Sequence, residues 1–489
     1  MASNEITVID RDKTRPQTGD DYYLDTDPNS QCQLPDRIQA VVHQVANKTN
    51  VHRKLKQILA PLDATFPIEH RLELGPFVHW KENSCTPMHR WLRYREAYSP
   101  ELIDKLSLGK RILDPFSGCG SIPIGAATRG RTALGIDLNP IAAFSSKVKL
   151  RPLSKGQLAR VRTFLSELAS HVHASERAPV PELSISRKVF EPDVMDAVLR
   201  ARSALEKLFA DDQACRDFVF LGWLAILETV GSYFKEGNGI KYRNKKRQVG
   251  RYEDRPDGQW QLARFGTDQR KFFLDAFSAQ LLMMLEDAKT WASGTWSEQQ
   301  VIEGSAFDIE RIAGRRRFDS IIFSPPYANR FDYFESFKVE LWFGNFVNSY
   351  DELNILRKAS LRSHLNADFK RPSNPLGPLE ELISLMDHDA SSWKMGVADL
   401  VRGYFHDIQV VLEQCRKVMP KGRCHVIVGN SAFAGVIIPT DALTAMVGLQ
   451  AGFSTVRIVE ARHLTVAPQQ RSNLKGFEQY MRESIVIFE

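Results

Sequence analysis

RILDPFSGCG (Arg111–Gly120) is the stretch that decides the fold. The apolar run RILD enters a loop with two glycines. A helix-length segment follows, and then TALGID (Thr132–Asp137), a second apolar run ending on an acid. Strand, helix and strand in that order form the unit of a parallel sheet. Gly118 and Gly120 remove side chains where the backbone must turn sharply and where a ligand can approach it closely. A lone G-x-G signals only a turn; the strand before it, the helix after it and the acid on the next strand make this a cofactor loop. Asp137 stands where a carboxylate accepts bonds from two ribose hydroxyls. Asp114 puts negative charge where a pyrophosphate would sit, which favours a cationic ligand. Cys119 has neither a base nor a partner cysteine and reads as packing.

Short strands return much later: VIEGSA (Val301–Ala306), FDSIIFS (Phe318–Ser324), CHVIVGN (Cys424–Asn430), VRIVEARHL (Val456–Leu464) and SIVIFE (Ser484–Glu489). Between the two sets of strands lie helical periodicities over Leu153–His171, Pro192–Phe209, Asp217–Phe234 and Gln269–Trp291. A further helix carries Tyr404, Ile408, Val411, Cys415 and Val418 at helical spacing and stops at Pro420–Gly422. The expected organisation is an N-terminal extension (1–70) without an assignable role and a core begun at 71–150. A helical insertion (151–300) follows, then a resumed core (301–489) with a loop-rich interruption near 345–390.

FDSIIFSPPY leads a buried strand straight into Ser324-Pro325-Pro326-Tyr327. Ser324 Oγ and the Pro325 carbonyl are hydrogen-bond acceptors, and two prolines hold the backbone before a substrate arrives. An amine conjugated to a ring is a poor nucleophile, and acceptors aimed at its hydrogens help it become pyramidal. Tyr327 offers a flat face for stacking. An isolated S-P-P-Y is a proline turn; at the carboxyl end of a parallel strand, beside the glycine loop, it is a catalytic candidate.

DPFSGCG, GIDLNP and SPPY in this order resemble the amino-group DNA methyltransferases. RWLRYREAYSPELI (Arg90–Ile103), EQCRKVMPKGRCHVIVGNS and the closing MRESIVIFE extend the likeness, which covers residues 75–149 and 301–489. The resemblance implies a Rossmann-like sheet of seven strands with the last antiparallel. It also implies S-adenosylmethionine as cofactor, base flipping, and direct transfer to an exocyclic amine of DNA. Carried over by motif, Asp114, Phe116, Gly118, Gly120, Asp137, Leu138, Ser305, Ala306 and Tyr98 would bind the cofactor, and Ser324, Pro325, Pro326 and Tyr327 would be catalytic. The serine form of the loop is more common among cytosine-N4 enzymes, so N4 is expected over adenine N6. After the third strand Ser305 stands where the family often has an acid, and either Ser305 or Asp308 can take that place. Asp332 is a candidate helper in proton removal.

The net charge of +6 over 489 residues permits a polyanionic partner without requiring one. Its distribution is more telling. KYRNKKRQVGR (Lys241–Arg251) holds six basic residues in eleven, within the insertion where the family places target recognition. Lys241, Arg243, Lys245, Lys246 and Arg247 are therefore the expected phosphate contacts of a basic loop, with Asn329 and Arg330 near the flipped nucleotide. The aromatics just beyond Tyr327 (Phe331, Tyr333, Phe334, Phe337, Trp342 and Phe343) have helical spacing, and most of them read as core packing under the catalytic loop. Double-stranded DNA is the expected partner, with companion restriction or defence proteins where such enzymes serve restriction–modification systems.

Six scattered cysteines argue against a zinc site and a disulfide framework, and no histidine set forms a metal site. The polar N-terminus shows no signal peptide, and the apolar FVFLGWLAI from Phe218 is too short to cross a bilayer, so a cytoplasmic, nucleoid-associated enzyme is expected. Two other readings stay open. One changes the substrate to adenine N6, or to an amine in RNA or a protein glutamine. The other is a non-catalytic DNA-binding subunit that keeps the fold.

Overall fold

The computed structural model describes residues 36–237, 239–243, 245–248, 251–254, 259–386, 396–466 and 470–489. The chain divides into two compact units, Met1–Asn50 and Val51–Glu489. In the second, Leu55, Leu59, Leu62 and Phe66 are buried in the core just before the first strand.

In chain order the strands are β1 (Ile68–His70), β2 (Arg111–Asp114), β3 (Thr132–Asp137), β4 (Tyr233–Glu236), β5 (Gly239–Tyr242), β6 (Lys245–Gln248), β7 (Arg251–Asp254), β8 (Gln300–Glu303), β9 (Ser320–Phe323), β10 (Arg423–Gly429), β11 (Ser431–Phe433), β12 (Val436–Ile438), β13 (Val456–His463) and β14 (Arg482–Phe488). Eight of them form the main sheet, in the order β1-β13-β14-β10-β9-β2-β3-β8. β14 runs antiparallel to both β10 and β13, and the remaining pairs are parallel. All seven strands expected from the sequence are present, and the final strand is the antiparallel one. The eighth, β1, comes from the stretch that had no assigned role: Ile68–His70 pairs with Ile458–Glu460 as a short edge strand.

Alternation along the strands fills both faces. Leu113, Ile321, Phe323, Val426 and Val428 face the core shared with helix Val397–Val418, whereas Ile112, Ile322 and Ile427 face one shared with Tyr98, Leu102 and Ile122. A parallel sheet covered on both faces reads as near-continuous apolar runs, which is why these strands stood out.

The insertion is mainly helical. Helices Pro192–Leu208, Gln213–Val230 and Gln269–Asp287 pack on each other around Phe218, Trp223, Phe273 and Leu281. Local chemistry sets the ends: Asp212 and Asp268 cap the second and third of these helices through their carboxylates, and Pro192 starts the first. Three expectations need correction. The first periodic run breaks near Glu167 into Lys155–Ser166 and Leu168–Ala174. The run to Phe234 stops at Val230, where Gly231 adopts an extended backbone and β4 begins. The basic segment is not a loop but two antiparallel hairpins, β4–β5 and β6–β7. Alternating Tyr233, Lys235 and Ile240, Tyr242 had the strand period, but the cluster of charge masked it.

Candidate active site

On one side of the sheet centre the chain runs outward through β2, β3 and β8; on the other it runs outward from β9. The reversal lies between β2 and β9, which pair directly through Ile112–Ser320 and Leu113–Ile321. Loops leaving the carboxyl ends of two such strands diverge and leave a crevice. Here the loops are Asp114–Gly120 and Ser324–Tyr327, and both line one cavity of about 630 Å³.

The glycine loop is shaped by its neighbours. Gly118 and Gly120 both have positive φ, 51° and 87°. A Cβ on Gly118 would lie 2.9 Å from the Tyr94 ring, and one on Gly120 would lie 2.9 Å from Ser146 Oγ. The Gly118 N–H donates to Asp137 Oδ2 at 2.7 Å, and the Asn139 N–H donates to Oδ1 at 2.8 Å. Helix Pro140–Lys149 holds the loop from behind: Ser146 Oγ donates to the Gly118 carbonyl at 2.9 Å, and buried Lys149 Nζ donates to that of Cys119 at 3.1 Å. The Cys119 thiol is pushed up to about 11 by burial, consistent with packing rather than nucleophilic duty.

Asp114 and Gly120 stand behind the cavity wall, whereas Phe116, Gly118, Asp137, Leu138, Ser305, Ala306 and Tyr98 are on it. Asp114 is fully buried; it accepts from Tyr98 Oη at 2.7 Å and from the Phe116 N–H at 3.1 Å. Burial raises its carboxyl to about 7 and that of Asp137 to about 6. Asp114 therefore ties the segment before β2 to the glycine loop. Between the two candidates after β8, Ser305 lies on the wall and caps the turn Ala306–Asp308, while Asp308 pairs outward with Arg311.

The second loop supplies Ser324, Pro325, Pro326, Tyr327 and Asn329 to the same cavity. Ser324 Oγ donates to Tyr327 Oη at 3.4 Å, and Tyr327 Oη donates to the Glu483 carboxylate. Arg330 lies off the wall with φ of 70°, its guanidinium 5.9 Å from the Phe433 ring. Asp332 is occupied as a helix cap toward the Phe334 and Glu335 N–H groups and as a partner of Arg357 and Asn366.

Several lining residues escaped the sequence reading. Tyr94 stacks on Phe337 at 5.5 Å, and Glu96 is held above its usual range by burial. Phe331, Tyr333 and Phe334 line the cavity, although helical spacing marked them as core; His364 and Ser360 enter from the 345–390 interruption, and Glu483 and Arg462 from the last two strands. Helical spacing cannot tell an apolar wall from an apolar core, and an acid on a terminal strand has no motif around it.

The segment before β2 is anchored by the insertion. Asp287 accepts from the Met88 N–H (2.9 Å), Arg90 Nε (3.0 Å), Arg90 Nη2 (2.5 Å) and Trp91 Nε1 (3.0 Å). Hairpin β4–β5 packs on helix Tyr333–Ser336, and Lys235 Nζ pairs with buried Glu340 at 2.7 Å over the Phe337 ring. Lys241 lies half-buried on β5. The Arg243 guanidinium turns back into the hairpin, with Nε donating to the Tyr233 carbonyl at 2.8 Å. The side chains of Lys245, Lys246 and Arg247, on β6, lie outside the described residues.

No family model matches the chain. Curated proteins do. The Type II methyltransferase M.AvaI of Nostoc sp. is 23% identical over 410 residues, spanning 78% of this chain and 82% of that protein. Type II methyltransferase M.BsoBI of Geobacillus stearothermophilus is 24% identical over an alignment of 514 residues, spanning 95% of this chain and 97% of that protein. Similarity to these Type II methyltransferases over most of the chain supports the amino-group DNA methyltransferase family. No helix among the described residues of this methyltransferase is long and apolar enough to cross a membrane.

The donors and acceptors of the methyltransferase cavity fit S-adenosylmethionine. Asp137 keeps acceptor capacity beyond its two backbone bonds. Ser117 Oγ and Asn139 Nδ2, on residues of the same wall, are buried without a protein partner. A Cβ on Gly118 would displace the Tyr94 ring that roofs the loop. Asp137, Leu138 and Ser305 are the residues suited to the nucleoside, and Phe116, Gly118 and Glu96 to the amino-acid end.

Proposed function

We propose that this methyltransferase transfers a methyl group from S-adenosylmethionine to the exocyclic N4 amine of cytosine in double-stranded DNA, after the base has flipped into the cavity. The observation that carries the reading is the convergence of the glycine loop and Ser324–Tyr327 on one cavity at the switch point of the sheet.

Bound, the cofactor supplies an electrophilic methyl group on a sulfonium. The chain supplies position and acceptors. Ser324 points its own proton at Tyr327, which leaves its lone pairs for an incoming N–H. The Pro325 carbonyl, fixed between a strand and a second proline, is the other acceptor. Two accepted hydrogens favour the pyramidal amine, and its lone pair then aims in line with the methyl group. Tyr327, Phe331 and Tyr333 offer ring faces or edges to a base lifted out of its stack. Transfer is direct, with no covalent enzyme intermediate. Lys241 and Asn329 are suited to the DNA near the cavity, because hairpin β4–β5 packs on the helix that follows the catalytic loop. Arg330 extends that proposed contact, whereas Arg243 serves the hairpin itself; Lys245, Lys246 and Arg247 are proposed for phosphate on charge alone.

The test is long-read sequencing of DNA from cells expressing the wild-type chain or Ser324→Ala. N4-methylcytosine at one recurring sequence with the wild type, and none with the variant, is expected. Methylation at adenine N6 would overturn the choice of base, and unmodified DNA with the wild type would overturn the reading.

A further inference from the structure

Three neighbouring strands align a row of residues beneath the catalytic loop. Glu483 on β14 pairs in register with Gly429 on β10 and with Arg462 on β13. The Arg462 pairing depends on a bulge: Glu460 opposes Ser484, and the register then skips Ala461 so that Arg462 opposes Glu483. A bulge beside a site re-aims a side chain. Here it replaces an alanine with a cation next to the carboxylate, and Arg462 Nε donates to Glu483 Oε2. On the other flank Gly429 leaves room for the Tyr327 ring, since a Cβ there would lie 2.9 Å from Tyr327 Cε2.

The hydrogen bonds across this row converge on Glu483. Ser324 Oγ donates to Tyr327 Oη, Tyr327 Oη donates to Glu483 Oε1, and Arg462 donates to the other carboxylate oxygen. Ser324, Tyr327, Glu483 and Arg462 all line the cavity. Glu483 itself is 3% exposed, a buried carboxylate at the end of a chain of hydroxyls that begins at the proposed amine site. Burial and the neighbouring carboxylate keep the Tyr327 phenol protonated, as a donor to Glu483 must be.

We propose that Glu483 is the acceptor for the proton released when the amine is methylated. The proposal rests on the exocyclic-amine reading above. The methylated nitrogen carries one positive charge and one proton too many. Its N–H bond breaks and that proton joins Ser324 Oγ; the proton originally on Ser324 passes to Tyr327 Oη, and the one originally on Tyr327 passes to Glu483. Both hydroxyls end neutral, the nitrogen is neutral, and Glu483 is a carboxylic acid that returns its proton to water when the product leaves. Arg462 is a positioning residue that holds Oε2 of Glu483 and so leaves Oε1 to Tyr327. The charged and titratable groups facing this carboxylate are Tyr327, with Tyr333 behind it, from the loop side and Arg462 from β13. Arg482, next along β14, is turned to Asp441 on helix Thr440–Gln450 at 2.7 Å.

Glu483→Gln keeps an acceptor for Tyr327 but takes up a proton poorly. Single-turnover methyl transfer is expected to slow by about 100-fold, within the range general-base catalysis supplies. The acid limb of its pH–rate profile should disappear, with cofactor and DNA dissociation constants unchanged. Tyr327→Phe should slow transfer similarly, and the double variant should be no slower than the slower single one. Arg462→Gln, measured alongside, is expected to move the acid limb to higher pH. A wild-type rate and pH profile in Glu483→Gln would overturn the proposal, as would multiplicative losses in the double variant. Should Glu483→Gln fail to fold, an unmoved acid limb in Arg462→Gln would do the same. A wild-type enzyme that transfers no methyl to any base amine would instead remove the exocyclic-amine reading itself.

Discussion

Asp287 lies far in sequence from either loop, yet its removal should weaken the fold and the cofactor site together. Its side chain is 2% exposed and accepts four hydrogen bonds from residues 88–91. Met88, whose N–H it accepts, has φ of 66°, a left-handed conformation that a non-glycine residue keeps only when its surroundings impose it. In Asp287→Ala the Met88 N–H and Trp91 Nε1 lose their acceptor, at about 1–3 kcal/mol each. The Arg90 guanidinium is a third exposed and recovers water, so its loss adds roughly 1 kcal/mol or less. The expected destabilisation is therefore about 3–5 kcal/mol. The segment that these bonds anchor goes on to Tyr94, Glu96 and Tyr98 in the cavity wall, so cofactor affinity should fall roughly tenfold, about 1.4 kcal/mol. Guanidinium unfolding followed by tryptophan fluorescence reads the first effect, and titration with S-adenosylhomocysteine reads the second. Asp287→Asn, which keeps one acceptor, should show about half of each. A variant within about 0.5 kcal/mol of wild type, with unchanged affinity, would refute the clamp.

Gly118→Ala forces a side chain onto a positive φ and into the Tyr94 ring, at a cost of roughly 1–2 kcal/mol for the backbone alone. The Michaelis constant for the cofactor should rise about tenfold or more while DNA affinity holds; an unchanged value would show that the loop is not the cofactor loop. Gly429→Ala pushes on the Tyr327 ring and should lower kcat by about tenfold with cofactor binding intact, as stopped-flow transfer would show; a wild-type kcat would remove Tyr327 from the chemistry. Burial raises Asp114 from 3.8 to about 7 in the folded chain, so the folded state holds its proton more tightly than the unfolded one. Its stabilising contribution is complete below about pH 4 and is lost as pH rises through 7, by about 4 kcal/mol at most. Denaturation of the cofactor-free enzyme between pH 4 and 8 should show this decline, and Asp114→Asn should flatten it; equal slopes would contradict the assignment.

The sheet was legible because its central strands are buried on both faces and carry uninterrupted apolar runs, as in FDSIIFS. The two loops were legible because backbone geometry leaves a residue signature, glycine at Gly118 and Gly120 and proline at Pro325 and Pro326. β1 was not, since three residues with only Ile68 apolar have no period. The hairpins were hidden because Lys241–Arg251 reads first as charge, and the strand alternation beside it is carried by only a few residues, Tyr233 and Lys235 on β4 and Ile240 and Tyr242 on β5. The rest of the wall was invisible for a different reason. Tyr94, His364, Arg462 and Glu483 converge from four distant parts of the chain, and no local spacing encodes such a meeting. Asp114 was legible as part of the loop, but sequence cannot show that it accepts from Tyr98 Oη and the Phe116 N–H.

The reaction proposed for the Ser324–Tyr327 loop is methyl transfer to an exocyclic amine, with cytosine N4 as the target. Its most direct test is incubation of purified enzyme and duplex DNA with S-adenosylmethionine bearing a trideuterated methyl group, followed by digestion and mass spectrometry of the nucleosides. Trideuterated N4-methyldeoxycytidine, absent with Ser324→Ala, is the predicted product. Label on adenine N6 would contradict the choice of base, and label on ring carbon or on no nucleoside would contradict the mechanism.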